Sequence, residues 1–189
     1  VSSLPDWLAS TVASDAAAGV GVLDPQIRAL SMEATVAGPA LVVSVARADN
    51  LAMRDVPAAV SAPGTVLVVA GGADSRTAVL GDLVARELLA AGIVGVVTDG
   101  PIRDSRAVAE LGLWVWARGV TPTASAKNGP GSVGGTVEIA GVGVTDGDIV
   151  IADADGVVIW PQAAVPDLLA KAEAKQQADA DRLARLTSQ

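Results

Sequence analysis

The fold is decided by residues 65–104, which read TVLVVAGGADSRTAVLGDLVARELLAAGIVGVVTDGPIRD. Residues 65–70 and 93–98 are continuous apolar runs, which are typical of strands covered on both faces. Gly81-Asp82-Leu83 opens a helix that is predicted to run to Ala91, where Gly92 ends it. A strand, a helix and a second strand with connections of this length form a βαβ unit, whose strands pair in parallel.

The sequence on either side of this unit predicts more helices and strands. Further helices are predicted at residues 5–18, 50–60, 104–111 and 164–186. Further strands are predicted at residues 35–45, 113–117, 136–140, 148–152 and 157–160. For a chain of 189 residues we expect one α/β domain over residues 1–189, with a central parallel or mixed sheet and a long C-terminal helix.

Local signals add detail to these elements. Ser3 is a candidate N-cap of the first helix, residues 50–60 are entered through Asp49 or Asn50, and Gly38-Pro39 predicts a bulge or bend that breaks its strand. Trp114 and Trp116 should share one face, either for packing or for ligand stacking. The middle of the last helix is polar nearly all round, which fits a solvated face or a helix that reaches another subunit.

Two glycine-containing motifs do not indicate the binding sites that they resemble. Residues 129–134 match G-x-G-x-x-G, but they lie in a predicted loop at residues 121–135 that a strand follows, whereas a dinucleotide site needs a helix there. Residues 153–156 hold two aspartates but lack the register of a calcium loop. Asp155-Gly156 therefore predicts a hairpin turn.

Composition excludes several classes of function. Thirteen basic and twenty-one acidic residues give a net charge of −8, so nucleic acid is not an expected partner. The chain has no histidine and no cysteine, which removes the usual ligands of zinc and copper and leaves Mg²⁺ or Mn²⁺ as the expected metals. No membrane segment or signal-peptide pattern is present, so we expect a cytoplasmic protein.

The candidate site lies at the carboxyl end of the second strand of the βαβ unit, where ligands bind in open α/β sheets. Arg103 and Asp104 could capture a carboxylate and a hard metal ion, or form a surface salt bridge. The backbone amides of Gly81 to Leu83, at the positive end of a helix, suit an anion. Asp82 could instead cap that helix, and Asp99 with Gly100 suits a turn. Together these residues predict a pocket for a small oxo-acid.

Several short motifs, taken in order, resemble the RraA-like family. This family includes 4-hydroxy-4-methyl-2-oxoglutarate / 4-carboxy-4-hydroxy-2-oxoadipate aldolases and regulators of ribonuclease E activity. The motifs are Ala37-Gly38-Pro39-Ala40, Asp49-Asn50-Leu51, Gly81-Asp82-Leu83, Asp99-Gly100 with Arg103-Asp104, Gly147-Asp148 and Asp153-Ala154-Asp155-Gly156-Val157.

The resemblance implies a fold of the swivelling β/β/α type. It also implies a class II aldolase that cleaves a 4-hydroxy-2-oxo dicarboxylic or tricarboxylic acid into pyruvate and an oxo-acid, with a side activity as an oxaloacetate decarboxylase. It implies that Asp104 holds Mg²⁺ or Mn²⁺, and that Arg103 binds substrate and stabilises developing charge. The amides of Gly81, Asp82 and Leu83 would hold the carboxylate of pyruvate, with the Asp82 side chain near the group that loses a proton.

The resemblance also implies homotrimers, or hexamers made of two trimers, with sites between subunits. A glutamate of the family's C-terminal helix commonly reaches the neighbouring site, and here the nearest candidates are Gln177, Asp179 and Asp181. A second hypothesis is a non-catalytic regulator that binds a ribonuclease or another protein partner.

Overall fold

The structure is a computed structural model that describes residues 4–187. Its α-helices are α1 (Ser10–Ala16), α2 (Val56–Ala59), α3 (Asp82–Ala90), α4 (Ser105–Glu110) and α5 (Val165–Thr187). Short 3₁₀ helices lie at Leu51–Asp55 and Gln162–Ala164. Its strands are β1 (Arg28–Ala29), β2 (Val36–Val45), β3 (Thr65–Ala70), β4 (Ile93–Thr98), β5 (Pro101–Ile102), β6 (Trp114–Ala117), β7 (Gly119–Val120), β8 (Gly131–Val133), β9 (Thr136–Ile139), β10 (Val142–Thr145), β11 (Ile149–Ala152) and β12 (Val157–Trp160).

The central sheet is mixed, and its parallel part contains the predicted βαβ unit. The strand order is β1-β6-β4-β3-β2-β11-β12, with β8 also paired to β2. Parallel pairs join β2 to β3, β3 to β4 and β4 to β6, whereas β1, β8, β11 and β12 pair antiparallel. The predicted α/β class, with a mixed sheet and a long C-terminal helix, is confirmed.

Strand β2 is continuous, so the prediction that Gly38-Pro39 breaks it is wrong. Residues 36–39 pair with β11, and residues 40–44 pair with β3 on the other side. Pro39 precedes the first residue paired with β3, so its missing N–H group does not interrupt that ladder. Gly38 is required because a Cβ atom there would lie 2.3 Å from the carbonyl oxygen of Gly64.

The sheet is buried on both faces. Leu67 and Val69 point to the side that α3 and α4 cover through Leu88 and Val108, whereas Val68 points to the side that carries Ile139 of the β9–β10 hairpin. Trp116 is fully buried on this second side and Trp114 packs beside it, so the prediction that they share a face is confirmed. The Trp116 indole donates a hydrogen bond to the carbonyl of Asp153 at 2.7 Å, so packing, rather than ligand stacking, explains this indole.

Helix α1 begins at Ser10, and not at the predicted residue 5. The carboxylate of Asp153 accepts hydrogen bonds from the Ser10 backbone N–H (2.8 Å) and hydroxyl (2.6 Å). A residue 143 positions away therefore stabilises the free N–H at the start of this helix. The proposed cap Ser3 lies outside the described residues.

The other local predictions have mixed outcomes. Residues 51–59 of the predicted 50–60 segment are helical, and Asp49 accepts a hydrogen bond from the Leu51 N–H, as predicted for the helix entry. Part of the predicted loop is strand β8, which pairs with β2. Residues 153–156 form the predicted turn between β11 and β12. None of the helices in residues 4–187 combines the length and the hydropathy that a membrane crossing requires.

Candidate active site

The site is built from two connections that run side by side at the carboxyl ends of β3 and β4. The Val79 N–H donates to the Pro101 carbonyl at 2.9 Å, and the Arg103 N–H donates to the Leu80 carbonyl at 3.0 Å. These bonds bring the start of α3 next to Arg103 and the start of α4. The structure therefore brings together the predicted residues Gly81 to Leu83, Arg103 and Asp104.

Arg103 and Asp104 form an ion pair that solvent can reach. Arg103 Nε lies 3.3 Å from Asp104 Oδ2, and the two side chains are 38% and 41% exposed. Oδ2 also accepts a long hydrogen bond, 3.4 Å, from the Asp82 N–H. Within residues 4–187, no hydrogen bond reaches Asp104 Oδ1, so this oxygen is available to a ligand.

The backbone of Asp104 is strained. Its φ of 53° places it in the left-handed region, which residues other than glycine rarely occupy. Such strain costs about 1–3 kcal/mol and is concentrated at functional sites. Here the conformation starts α4 and turns the carboxylate back towards α3.

Gly81 is buried against this pair, and its lack of a side chain is essential to the arrangement. A Cβ atom at this position would lie 2.5 Å from Asp104 Oδ2 and 2.8 Å from Arg103 Nε. The next three N–H groups of α3 have no acceptor within the helix, because its first internal bond runs from Ala85 to Gly81. Glycine therefore lets the ion pair approach the positive end of α3.

The Asp82 side chain does not cap α3, so that interpretation is wrong. Gly81 occupies the cap position, and no side-chain oxygen satisfies the helix start from there. In the part of the chain that the structure describes, the Asp82 carboxylate has no hydrogen-bond or ion-pair partner, and the residue is half-buried beside Asp104. It is free to act on a bound molecule.

Asp99 follows β4 but does not join the site. It is buried, and its carboxylate accepts hydrogen bonds from the N–H groups of Gly71 (3.2 Å) and Gly72 (2.8 Å). Burial raises the pKa of this carboxyl above its usual value. Asp99 therefore links the ends of β3 and β4 through these hydrogen bonds. The sequence predicted only that Asp99 lies in a turn.

The candidates on α5 lie apart from these residues. Asp179 pairs with Lys175 at 2.5 Å, and the Gln177 amide donates to Asp181 at 2.8 Å, both within the same helix. Helix α5 packs on α1 and on the β11–β12 hairpin. The fold of one chain does not bring Gln177, Asp179 or Asp181 to Asp104.

Sequence similarity identifies the family. Residues 10–159 match the family model RraA-like, described as Aldolase/RraA. The chain belongs to the RraA-like family. A Halalkalibacterium halodurans protein named "Putative 4-hydroxy-4-methyl-2-oxoglutarate aldolase" is 38% identical to it over 173 residues, which cover 92% of this chain and 82% of that protein. A Thermus thermophilus protein named "4-hydroxy-4-methyl-2-oxoglutarate aldolase" is 39% identical over 99 residues, which cover 52% of this chain and 60% of that protein.

The fold of this RraA-like protein is also that of its structural relatives. It superposes with a TM-score of 0.85 on Streptomyces coelicolor RraAS2, described as an unusual member of the RNase ES inhibitor RraA protein family. The two sequences are 29% identical, and the match covers 94% of this chain and 93% of that one. The fold expected from the resemblance is therefore confirmed.

The oxygen donors of this RraA-like site suit a weakly held hard cation. Among the described residues, no three carboxylates converge on one point. Asp104 instead lines an open depression of about 570 Å³, together with Ser105, Thr121 and Glu110. One exposed carboxylate with room for several waters fits the way proteins hold Mg²⁺, which retains much of its hydration shell. Glu110 is already paired with Arg106 at 2.9 Å.

Two residues beside the site were not predicted from the sequence. Asn50 and Lys127 line a narrow pocket of about 70 Å³ with Gly81 and Arg103. Asn50 lies in one of the motifs that resemble the family, which could have indicated it. Lys127 lies in a loop rich in small residues and carries no local signal.

Proposed function

We propose that this protein is a divalent-metal-dependent aldolase that cleaves a 4-hydroxy-2-oxo acid into pyruvate and a second oxo-acid. The observation that carries the proposal is that Arg103 and Asp104 both lie against Gly81 at the start of α3, where the Asp82 N–H also reaches Asp104. The names of the relatives support a carbon–carbon lyase. The chemistry of these groups matches the charges that such a substrate carries.

The 2-oxo acid end of the substrate binds at the start of α3. The N–H groups of Leu83 and Val84 donate to its carboxylate, which the positive end of the helix also attracts. Arg103 is only half-buried, so its guanidinium can donate to the same carboxylate or to the 2-oxo oxygen. The bound substrate then lies beside Asp104.

Asp104 would hold Mg²⁺ or Mn²⁺, and water would supply the further oxygen donors. The bound cation supplies positive charge that offsets the negative charge developing on the 2-oxo oxygen. Arg103 adds to this stabilisation. Since carbon–carbon cleavage and loss of CO₂ from oxaloacetate both leave the enolate of pyruvate, we propose oxaloacetate decarboxylation as a second activity.

Asp82 moves the proton. Its carboxylate, which has no partner in residues 4–187, removes the proton of the 4-hydroxyl group, directly or through one water. The C3–C4 bond then breaks, the C4 carbonyl forms, and the electron pair of the broken bond becomes the enolate of pyruvate. Return of the proton to C3 gives pyruvate and restores the carboxylate.

We propose that a neighbouring chain closes the cleft, in a homotrimer or a pair of trimers. Leu83 and Val120 flank the site and are 67% and 59% exposed, so they offer apolar surface that a neighbouring chain would cover. The C-terminal half of α5, with its exposed Leu183 and Leu186, is available for the same contact.

The test is a coupled assay for pyruvate release from 4-hydroxy-4-methyl-2-oxoglutarate and from oxaloacetate. We expect release only with added Mg²⁺ or Mn²⁺, loss of release with EDTA, and no release by Asp104→Ala. Glu110→Gln is the matched control, because it removes a carboxylate from the same depression without touching the proposed metal ligand. Pyruvate release that does not depend on the metal, or no pyruvate release from any member of a panel of 4-hydroxy-2-oxo acids, would refute the proposal.

A non-catalytic regulator is the second candidate function. It is favoured by the superposition on a protein described as belonging to an RNase ES inhibitor family, and by the net charge of −8. A pull-down that recovers a ribonuclease, with binding unchanged in Arg103→Ala, would support it. Metal-dependent pyruvate release that Asp104→Ala abolishes would leave it without support.

A further inference from the structure

The connection that follows β4 begins at a buried carboxylate. Asp99 is 5% exposed and lies directly after β4, immediately before residues 100–104, which carry the centre of the candidate site. Its Oδ1 accepts a hydrogen bond from the Gly72 N–H at 2.8 Å, and its Oδ2 accepts one from the Gly71 N–H at 3.2 Å. Each oxygen therefore holds one N–H group of the turn that follows β3.

Two glycines pack against each other beside this carboxylate. A Cβ atom at Gly72 would lie 2.7 Å from the Cα atom of Gly100, and a Cβ atom at Gly100 would lie 2.9 Å from Cγ1 of Val79. Because neither glycine has a side chain, the turn after β3 and the connection after β4 touch through their backbones. Closely packed groups transmit small shifts to one another. A displacement of the turn therefore reaches Gly100.

Backbone hydrogen bonds continue this path to the site. The Pro101 carbonyl accepts from the Val79 N–H at 2.9 Å, and the Arg103 N–H donates to the Leu80 carbonyl at 3.0 Å. On the other side of the connection, β5 pairs with β7. The residue after Arg103 is Asp104, so a shift at the start of the connection changes where both side chains lie.

The charge on Asp99 is only partly compensated. Burial raises the pKa of its carboxyl, although the two glycine N–H groups and the Arg118 guanidinium act in the opposite direction. The charged side chains that share a depression of about 390 Å³ with Asp99 are those of Arg76 and Arg118. In residues 4–187, neither of them forms a salt bridge with it. Arginine keeps its charge at all working pH values, so Asp99 is the group that titrates here.

Stability and geometry favour opposite forms of this carboxyl. Since its pKa is raised, the ionised form lowers the stability of the fold as the pH rises. The protonated form avoids this cost, but one of its oxygens then carries a hydrogen and no longer accepts well from the N–H group that it faces. The ionised form therefore holds both N–H groups of the turn, and the protonated form holds one.

We propose that Asp99 is a positioning residue of the site, and that its ionised carboxylate keeps Arg103 and Asp104 in place by holding the turn after β3. Loss of one of its two hydrogen bonds lets this turn shift against Gly100, and the shift passes along the connection to the two side chains. The kinetic consequence rests on the proposed function. The positioning does not depend on which reaction the site performs.

The first test measures activity and stability over the same pH range. As the pH rises through the pKa of Asp99, which its ¹³C carboxyl signal reports, we expect the free energy of unfolding to fall. Over the same range kcat for pyruvate release should rise about tenfold, as for a shift of about half an ångström in a reacting group. A purely structural role would leave kcat unchanged or make it fall with stability, and either result would overturn the inference.

Two variants assign this step in kcat to Asp99. Arg118→Gln removes the guanidinium that lowers the pKa of Asp99, so the step should move to higher pH. Asp99→Asn should remove the step and leave kcat about tenfold below that of the wild type, with KM little changed. The matched control is Asp146→Asn, because Asp146 also accepts from two backbone N–H groups, those of Val42 (2.8 Å) and Gly135 (2.6 Å), and should keep both kcat and the step. A step that stays in place in Arg118→Gln would contradict the assignment.

A magnetic resonance measurement separates this inference from the proposed function. The ¹H–¹⁵N signals of the Gly100, Arg103 and Asp104 amides need neither turnover nor a metal. We expect them to move with the pKa of Asp99 in the wild type and to lose this step in Asp99→Asn. If the wild type releases no pyruvate but these signals follow Asp99, the proposed function fails and the positioning role stands. Signals that do not change through this pKa overturn the inference, whether or not pyruvate is released.

Discussion

Replacing Gly81 by alanine is expected to disable the site while leaving the fold nearly intact. The backbone at Gly81 is extended, with φ of −142°, so alanine introduces no backbone strain. The added Cβ atom would lie 2.5 Å from Asp104 Oδ2, where ordinary contacts begin at 3.4 Å, so the carboxylate must move by about 0.9 Å. Misplacement of a reacting group by this distance costs about 100-fold in rate.

We expect Gly81→Ala to lower the stability of the fold only slightly, in contrast to the large loss of rate. Alanine is a poorer N-cap than glycine by about 1 kcal/mol, which lowers Tm by about 2–4 °C in a chain of this size. The assay pairs pyruvate release with thermal unfolding. Electron paramagnetic resonance of Mn²⁺ measures binding to Asp104, the proposed metal ligand. Gly143→Ala is the control, since a Cβ atom there meets no other atom within 4 Å.

Two results would refute this reasoning. Full activity in Gly81→Ala would mean that the position of the Asp104 carboxylate does not limit the reaction. A large fall in Tm, matched by the fall in activity, would mean that Gly81 matters for folding rather than for the site.

Three further predictions concern stability and titration. Backbone hydrogen bonds, the largest from Asn128, hold the pKa of Asp49 below its usual value. The ionised carboxylate therefore stabilises the fold at pH values above the usual pKa of an aspartate, and this stabilisation is lost as the pH falls through the lowered pKa. Asp49→Asn should therefore be less stable than the wild type in urea at pH 7, with a gap that narrows below about pH 4. Burial raises the pKa of Asp99, so its ¹³C carboxyl signal should titrate at a pH above the usual aspartate range. The free energy of unfolding should fall as the pH rises through this raised pKa. Leu88→Ala should lower the free energy of unfolding by about 2–5 kcal/mol, since Leu88 is fully buried between α3 and the sheet; a cost below about 1 kcal/mol would contradict this packing.

The predictions that the structure confirms rest on local patterns. The apolar runs that became β3 and β4, and the Gly92 that follows α3, act over a few residues, so they are visible in the sequence. Arg103 and Asp104 could be predicted as candidates for the same reason, because they follow a strand at the sheet edge where ligands bind in open α/β folds. The resemblance to the RraA-like family added their expected roles.

The wrong predictions of helix and strand limits share a different cause, which is a partner distant in sequence. Helix α1 starts at Ser10 because Asp153 satisfies its first N–H, and β8 is a strand because β2 has a free edge for it. Neither partner lies within the window that a local pattern covers. The same holds for β2, whose glycine and proline are tolerated where it changes neighbours.

The α/β class, the βαβ unit and the lack of histidine and cysteine could therefore be read from the sequence, which also predicted Arg103 and Asp104 as candidate site residues. The packed fold was needed to show that Gly81 must lack a side chain, that the Asp82 carboxylate has no partner among the described residues, and that Asn50 and Lys127 lie beside the candidate site. This difference arises because the two kinds of interaction act over different distances along the chain. Propensity and hydrophobic pattern act between near neighbours, whereas a site depends on distances between side chains that the packed sheet brings together.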